Sequence, residues 1–212
     1  ALGVAFTGVV VLFMASQPEL MATLAMGMGK WVLFAALLGM GWFSPKIMTM
    51  RSTGAAQAYY WVYAALWGIM ISPMVAYFLQ TTAGTMDVAR AFFITAGMFA
   101  GASLFGYTTK KDLSGIGRFL VMATIGLLIA MLVNVFFIQD TGFSLLISCA
   151  VVLVFAGITA WETQGIKNMY FQAGGNAGVI GRMAIFGALQ LYGSFVVMFI
   201  HILNIIGIMR SE

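Results

Sequence analysis

The sequence predicts an all-α, polytopic integral membrane protein, and its composition is the first reason. Of the 212 residues, 62% are hydrophobic and only 8% are charged, and the mean hydropathy is +1.02. A soluble domain carries about 25% charged residues, so ten basic and six acidic side chains could not cover a globule of this size. The apolar runs are hydrophobic on every face, whereas strands of a membrane barrel alternate apolar and polar residues. The chain is therefore predicted to cross the bilayer as helices.

Seven such helices are predicted from the length of the apolar runs. A helix needs about 20 apolar residues to cross a hydrocarbon core about 30 Å thick. Polar, Gly and Pro residues divide the chain into runs at 1–15, 21–43 or 30–43, 55–79, 88–107, 116–138, 143–161 and 179–208. Residues 21–28 are open to two interpretations, a loop or an early helical turn. We expect one transmembrane domain over residues 1–212. A polar N-terminal arm is expected to be absent from this chain, because the sequence opens directly into an apolar run with no charged segment before it.

Two kinds of residue inside the runs predict how the helices pack. Small residues four apart let helix backbones approach each other, and this spacing occurs in the pairs Gly97/Gly101 and Gly126/Ala130. For any single pair, an incidental glycine in an apolar helix is the alternative. Pro73 follows Ser72 in the middle of the third run. A proline there removes one backbone hydrogen bond and is expected to kink the helix, while a neighbouring helix or the Ser72 hydroxyl can satisfy the freed carbonyl.

Loop charge predicts the orientation. The loops on the side of the N-terminus hold seven basic residues: Lys46, Arg51, Lys110, Lys111, Arg118, Lys167 and Arg182. The opposite side holds three: Lys30, Arg90 and Arg210. Cytoplasmic loops carry the excess of Lys and Arg, so the N-terminus is predicted in the cytoplasm and, after seven spans, the C-terminus on the other side. Membrane topology also explains the formal charge of +4 without a nucleic-acid partner.

Charged residues within apolar runs are the first candidates for function, because a charge at mid-membrane costs about 2.5–3.5 kcal/mol on insertion scales. Asp87 and Arg90 are three residues apart at the start of the fourth run, which predicts a local ion pair. Glu162 follows Trp161 at the end of the sixth run. It either points into water at the interface or turns inward to meet a cation, a proton or a basic side chain. In the second case it could act as a pH-responsive latch.

The uncharged polar residues are predicted to hold helices together. His201 lies inside the last run, where a single histidine is more often a hydrogen-bonded packing residue than a ligand or proton relay. Asn134, Gln190 and Asn204 are likewise expected to form interhelical hydrogen bonds. One cysteine, Cys149, excludes a disulfide framework. With one histidine as well, no metal site and no bound cofactor are expected, and the sequence shows no enzyme motif.

Three stretches resemble a known family. They are residues 103–114, Ser-Leu-Phe-Gly-Tyr-Thr-Thr-Lys-Lys-Asp-Leu-Ser, then residues 154–164, Val-Phe-Ala-Gly-Ile-Thr-Ala-Trp-Glu-Thr-Gln, and residues 187–192, Gly-Ala-Leu-Gln-Leu-Tyr. Together they are similar to the bacterial form of the Bax inhibitor-1 (transmembrane Bax inhibitor motif) family. The resemblance extends over most of the chain. It implies seven helices, with the last one central and wrapped by the other six.

The resemblance also implies a pH-sensitive cation leak, for calcium, controlled by two facing acids. The first family acid corresponds to Glu162, and an arginine that pairs with it in some members corresponds to Arg51. The second acid would lie in the stretch Leu191-Tyr192-Gly193-Ser194-Phe195, where Ser194 replaces it. Two carboxyl groups that share a proton titrate as a coupled pair, and a Glu–Ser pair does not. Calcium or protons would then be transient ligands only.

Two functions of different class follow. The first is a cation leak channel of the bacterial inner membrane, or a descendant with weakened gating. The second is a non-conducting accessory protein that binds another membrane complex, such as a membrane protease. A secondary transporter is third, because inverted repeats with matching broken helices are not visible. A membrane enzyme is last, because no catalytic constellation is present.

Overall fold

A computed structural model describes residues 2–25, 27–50, 52–174 and 177–211, and these residues form only helices and connecting turns. The α-helices are α1 (Leu2–Ala15), α2 (Pro18–Ala25), α3 (Gly29–Phe43), α4 (Thr53–Leu79), α5 (Thr82–Thr108), α6 (Ser114–Val133), α7 (Thr141–Gln172) and α8 (Ala177–Ser211). A 3₁₀ turn (Ser44–Thr49) follows α3, and a π-helical turn (Asn134–Ile138) follows α6. The all-α prediction is confirmed.

The number of spans agrees with the prediction when α1 and α2 are counted together. Six helical segments of the described chain are long and apolar enough to cross a membrane, with α3 and α6 each counted together with the turn that follows it. The pair α1 and α2, bent by 113° at their junction, would make a seventh. The second span begins at Gly29, so residues 18–25 are a separate short helix. Gly27 lies between them at φ +52°, a left-handed conformation that glycine adopts without a steric penalty. It separates α2 from α3.

Several helices extend beyond the predicted runs. The sixth run was expected to end at Trp161, but α7 continues to Gln172, and α5 begins at Thr82 instead of 88. Hydropathy detects the segment inside the hydrocarbon core, whereas backbone hydrogen bonding continues through the more polar turns on either side. As a result, Glu162 lies within a helix and not at its end.

The helices form two compact units. Unit 1 comprises Ala1–Met86 and Met169–Tyr192, and unit 2 comprises Asp87–Asn168 and Gly193–Glu212. In unit 1, α1 packs against α4, where Gly68 lies next to Val10. The helix α8 contributes to both units, and 44% of its spanning window is buried, the largest share among the six spans. The central position of α8, and the single domain over residues 1–212, stay predictions.

One of the two expectations for Pro73 in α4 is confirmed, and the kink stays a prediction. The helix runs through Pro73 without interruption, and the Ser72 hydroxyl donates a hydrogen bond of 2.7 Å to the carbonyl of Ile69. Ile69 is four residues before Pro73, so its carbonyl is the one that the missing proline N–H leaves unpaired. The predicted side-chain compensation is confirmed.

The glycines of the small-residue pairs are not in contact with another described helix. Apart from the backbone of their own helices, no heavy atom of a described residue is within 4 Å of a Cβ placed at Gly97, Gly101 or Gly126. Of the two interpretations, an incidental glycine in an apolar helix therefore fits these three positions in the described chain, and a close approach of two helix backbones does not. The spacing identifies a stripe of small residues but not the direction in which the stripe faces. Close approaches occur instead at other glycines of unit 2, described next.

Candidate functional site

Glu162 and Ser194, the two positions that the resemblance pairs, contact each other in unit 2. The Ser194 hydroxyl of α8 donates a hydrogen bond of 2.8 Å to Oε2 of Glu162 on α7. Ser194 is buried, with 3% of its surface exposed, and Glu162 is half-buried. The interpretation of Glu162 as an inward-facing group therefore fits the geometry, and the alternative of an interfacial side chain in water does not.

Glycines on the neighbouring helices bring the backbone close to Glu162. A Cβ at Gly106 of α5 would collide with the carbonyl oxygen of Ala160, and a Cβ at Gly117 of α6 would collide with the indole ring of Trp161. Ala160 and Trp161 immediately precede Glu162 in α7. Because only glycine fits at both contacts, α5 and α6 are held against the turn of α7 that carries the acid.

The resemblance implies Arg51 as the positive partner of Glu162. Arg51 lies outside the described residues. Within the described part of the chain, the salt bridges are made by Asp87 alone, so Glu162 has a neutral hydroxyl as its hydrogen-bond partner there and no cation.

The stretch that precedes Ser194 has its own anchor, in unit 1. The Tyr192 hydroxyl lies 2.6 Å from the hydroxyl of Thr7 on α1, and Thr7 also donates to the carbonyls of Gly3 and Ala64. Tyr192 is buried, with 5% of its surface exposed. This network fixes α8 to α1 and α4 inside the apolar core of unit 1.

A second polar cluster joins α7 and α8 within unit 2. Nδ1 of His201 is 3.1 Å from the hydroxyl of Ser148, and the Asn204 amide donates to the same oxygen at 2.9 Å and to Ser144 at 3.4 Å. This is the hydrogen-bonded packing role that the sequence indicates for His201 and Asn204. The serine partners were missed. Their spacing of four residues, which places Ser144 and Ser148 on one helix face, was the available signal.

Asn134 differs from its prediction. Its side chain accepts from the backbone N–H of Asp140 at 3.1 Å and donates to the carbonyl of Asp140 at 3.2 Å. The amide therefore closes the turn that follows the π-helical segment, and the predicted bond between two spans is wrong. Asparagine often bonds to nearby backbone in this way, which competes with interhelical contacts. For Gln190 the interhelical bond stays a prediction.

The predicted ion pair between Asp87 and Arg90 is confirmed, and the structure adds a partner. Arg90 is 2.9 Å and Arg210 of α8 is 3.1 Å from the Asp87 carboxylate, which is buried. Arg210 is 123 residues away along the chain, so no local sequence pattern connects it with Asp87. The ion pair fixes the end of α8 to the first turns of α5.

Gln164, two residues after Glu162, was also missed. Its side-chain oxygen accepts from the N–H of Leu113 at 2.9 Å, and its nitrogen donates to the carbonyl of Lys111 at 2.8 Å. Among the described residues, no group of three or more His, Cys, Asp or Glu side chains lies close enough to hold a metal ion. The expected lack of a bound cofactor stays a prediction.

The family of the chain follows from its similarity to known proteins. The profile of the family described as inhibitor of apoptosis-promoting Bax1 matches residues 1–211. An uncharacterized protein of Rickettsia prowazekii is 35% identical over 212 residues, which cover 100% of this chain and 86% of that protein. The chain belongs to this family. The resemblance to the Bax inhibitor-1 family is therefore confirmed over almost the whole chain.

Other relatives of this Bax inhibitor-1 family protein match a shorter segment. The inner membrane protein YbhL of Escherichia coli K12 is 40% identical over 157 residues, or 74% of this chain and 64% of YbhL. An uncharacterized protein of Caulobacter vibrioides is 40% identical over 153 residues, or 72% of this chain and 58% of the relative. These matches span somewhat less than two thirds of the two relatives.

Proposed function

We propose that this Bax inhibitor-1 family protein is a cation leak channel, with calcium as the permeant ion and a weakened response to pH. The observation that supports it is the hydrogen bond between Ser194 and Glu162. It links α7 and α8, two helices long and apolar enough to cross a membrane. Ionisable groups inside membrane spans are costly and typically mark ion or proton pathways.

The weakened response follows from the chemistry of the partner. A serine hydroxyl can donate or accept a hydrogen bond. It donates to an ionised Glu162 and can accept from a protonated one, so protonation reverses the bond without breaking it. Two facing carboxyl groups would instead share one proton and titrate as a coupled pair. In this proposal calcium and protons are transient ligands, and the protein carries no cofactor and catalyses no reaction.

We also propose a location and an orientation. YbhL is named as an inner membrane protein, and the bacterial inner membrane is proposed for this chain too. The excess of basic residues on the loops at 46–51, 110–118 and 167–182 supports a cytoplasmic position of these loops and of the N-terminus. With seven spans the C-terminus is on the opposite side. Labelling of Lys46→Cys and of Met209→Cys with an impermeant reagent, each in a chain with Cys149→Ser, would test this orientation, because Lys46 lies in a basic loop and Met209 near the C-terminal end of α8.

Calcium flux into proteoliposomes tests the leak. We expect Glu162→Gln to change the initial rate, because the amide cannot ionise but still fills the same space. Glu19→Gln is the matched control, since Glu19 is an exposed residue of the short helix α2, and it should behave as the unmodified protein. A flux equal to that of empty liposomes at every pH would reject the channel.

The alternative is a non-conducting accessory subunit of another membrane complex, such as a membrane protease. One feature favours it: only 11% of the spanning window of α5 and 6% of that of α6 are buried. The open face of α5 at Gly97 and Gly101 has the spacing at which a further helix can pack closely. Purification in mild detergent would test this function. A stoichiometric partner that is lost in Gly97→Leu supports it, and a chain that purifies alone opposes it.

A further inference from the structure

The loop between α5 and α6 is fixed to α7 by one side chain. Gln164 is buried, with 9% of its surface exposed. It binds the backbone on both sides of Asp112, through the carbonyl of Lys111 and the N–H of Leu113. Leu113 is buried as well, with 6% exposed. Because both polar ends of the amide are used, residues 111–113 are held against α7.

Two further contacts complete the arrangement. The Lys167 ammonium donates a hydrogen bond of 2.7 Å to the carbonyl of Tyr107 and lies 4.9 Å from the centre of its ring. Asp112 accepts from the N–H of Ser114 at 2.9 Å, which closes the turn into α6. The hydroxyl and the N–H of Ser114, with a smaller effect of the Arg118 cation, hold the pKa of Asp112 below its ordinary value.

The charge left on this surface is positive. Lys110, Lys111 and Arg118 are exposed, and within the described chain neither lysine forms an ion pair, since the salt bridges there all involve Asp87. The single acid of the loop, Asp112, is engaged by Ser114. The cations are therefore available to an anion outside the protein, and the backbone of Lys111 is held in place before any anion binds.

The position of the loop indicates which kind of anion can reach it. It connects two candidate membrane spans, Thr82–Thr108 and Ser114–Ile138, so it lies at the level of the lipid headgroups. Large apolar side chains are exposed on both sides of it, with Phe105 56% and Phe119 68% exposed. Lipid presents acyl chains beside such phenylalanines and phosphate beside the lysines.

We propose that residues 109–113 together with Arg118, named here the basic loop, bind the headgroup of an anionic phospholipid in the leaflet that the loop faces. Lysine and arginine attract anionic headgroups within a Debye length of the surface. The contacts of Gln164 strengthen the binding, because a loop that is already ordered loses less conformational entropy when it binds. This proposal is independent of ion conduction.

Native mass spectrometry of the full chain from nanodiscs of mixed phosphatidylglycerol and phosphatidylcholine tests the proposal. Each basic residue near an anionic surface strengthens binding by about fivefold. We expect Lys110→Gln with Lys111→Gln to lower the retained phosphatidylglycerol by roughly ten- to thirtyfold. The matched control is Lys30→Gln with Lys46→Gln, which removes the same charge near the two ends of α3. In the proposed orientation these lysines face opposite leaflets and cannot bind one headgroup together, so the control should lower the retained lipid much less.

A third variant separates charge from the order of the loop. Gln164→Leu keeps every lysine and releases the loop, and we expect a smaller loss, of about threefold, for the entropic reason given above. If this variant does not fold, Gln164→Glu keeps the bond to Leu113 and loses the one to Lys111. Equal retention in the two double variants would overturn the proposal. So would displacement of the bound lipid by free inorganic phosphate, which would show an unspecific phosphate site.

Discussion

Ser194 donates its hydroxyl hydrogen to the carboxylate of Glu162 across a distance of 2.8 Å, so the acid of α7 faces a neutral group on α8. This relationship distinguishes the chain from a protein with two facing acids. A second carboxyl group could be placed at the same position with little change in volume. The pair is therefore a direct way to ask whether the proposed latch depends on coupled titration.

Ser194→Asp is expected to change the shape of the pH profile of calcium flux. Two carboxyl groups at hydrogen-bond distance interact strongly and release their protons in two macroscopic steps. The flux of this variant should therefore change in two steps as the pH is varied, whereas the unmodified protein should show one shallow change. The measurement is the initial rate of calcium entry into proteoliposomes over the pH range in which the vesicles remain intact.

Ser194→Ala is the control for this variant. It removes the hydrogen bond but adds no acid, so its profile should keep a single step even if the rate changes. A profile of Ser194→Asp that superimposes on that of the alanine variant would contradict coupled titration at this site.

A second prediction concerns Ser72, which is fully buried in α4. Ser72→Ala removes the donor to the carbonyl of Ile69 and should lower the free energy of unfolding by about 0.6–2 kcal/mol. In a chain that also carries Pro73→Ala, a backbone N–H reaches the same carbonyl. There the loss of Ser72 should change the free energy much less.

Unfolding of all four chains in mixed micelles of detergent and dodecyl sulfate measures this coupling, which should be on the order of 1 kcal/mol. If the change in the free energy of unfolding for the double variant equals the sum of the changes for Ser72→Ala and Pro73→Ala, the hydroxyl does not replace the missing proline N–H.

The outcome at Pro73 shows what the sequence can predict. The residues involved are close along the chain, and helix geometry alone determines which carbonyl loses its donor. The long apolar runs predicted the spans for a similar reason, because each run is assessed by itself. The C-terminal end of α7 was missed because hydropathy does not detect helical turns outside the hydrocarbon core.

The candidate site was predictable only in part. Glu162 and Ser194 were paired through motifs that resemble a family, since the two residues are 32 positions apart and no local signal joins them. The partners Ser148 for His201 and Arg210 for Asp87 depend on the rotation of one helix against another. That rotation is set by packing over the whole unit, so a single sequence does not specify it.

A third prediction is a pH dependence at the turn into α6. Contacts of Ser114, with Arg118 nearby, hold the pKa of Asp112 below its ordinary value of 3.8. A group with a lowered folded-state pKa stabilises the fold above its unfolded-state pKa, and this contribution is lost as the pH falls through the folded-state pKa. The turn should therefore keep its protection from hydrogen exchange at neutral pH and lose it in acid below pH 3.8.

Hydrogen exchange at the Ser114 amide, expressed as a protection factor at each pH, tests this prediction. Asp112→Asn is the control. Its amide accepts a hydrogen bond but does not titrate, so the protection should be weaker at neutral pH and flat in acid. A loss of protection at the same pH in both chains would assign the transition to another group.

The last prediction compares two glycines of α5 that differ in what surrounds them. A Cβ at Gly106 would collide with the backbone oxygen of Ala160, whereas no heavy atom of a described residue outside the backbone of α5 is within 4 Å of a Cβ at Gly97. Gly106→Ala should lower the free energy of unfolding by about 1–3 kcal/mol, as overpacking does. Gly97→Ala should raise it by up to about 1 kcal/mol, because alanine favours the helix.

Unfolding of both variants in the same micelles gives the sign of each change in the free energy of unfolding. Gly101→Ala is the control for Gly97→Ala. Opposite signs would show that α5 is pressed against α7 at Gly106 and open at Gly97. A loss of stability in both variants would contradict the open face of α5, because a Cβ at Gly97 would then have met a neighbouring helix. Calcium flux of Gly106→Ala extends the test to function, since Ala160 is two residues from Glu162 and a shift of α7 there would move the acid relative to Ser194.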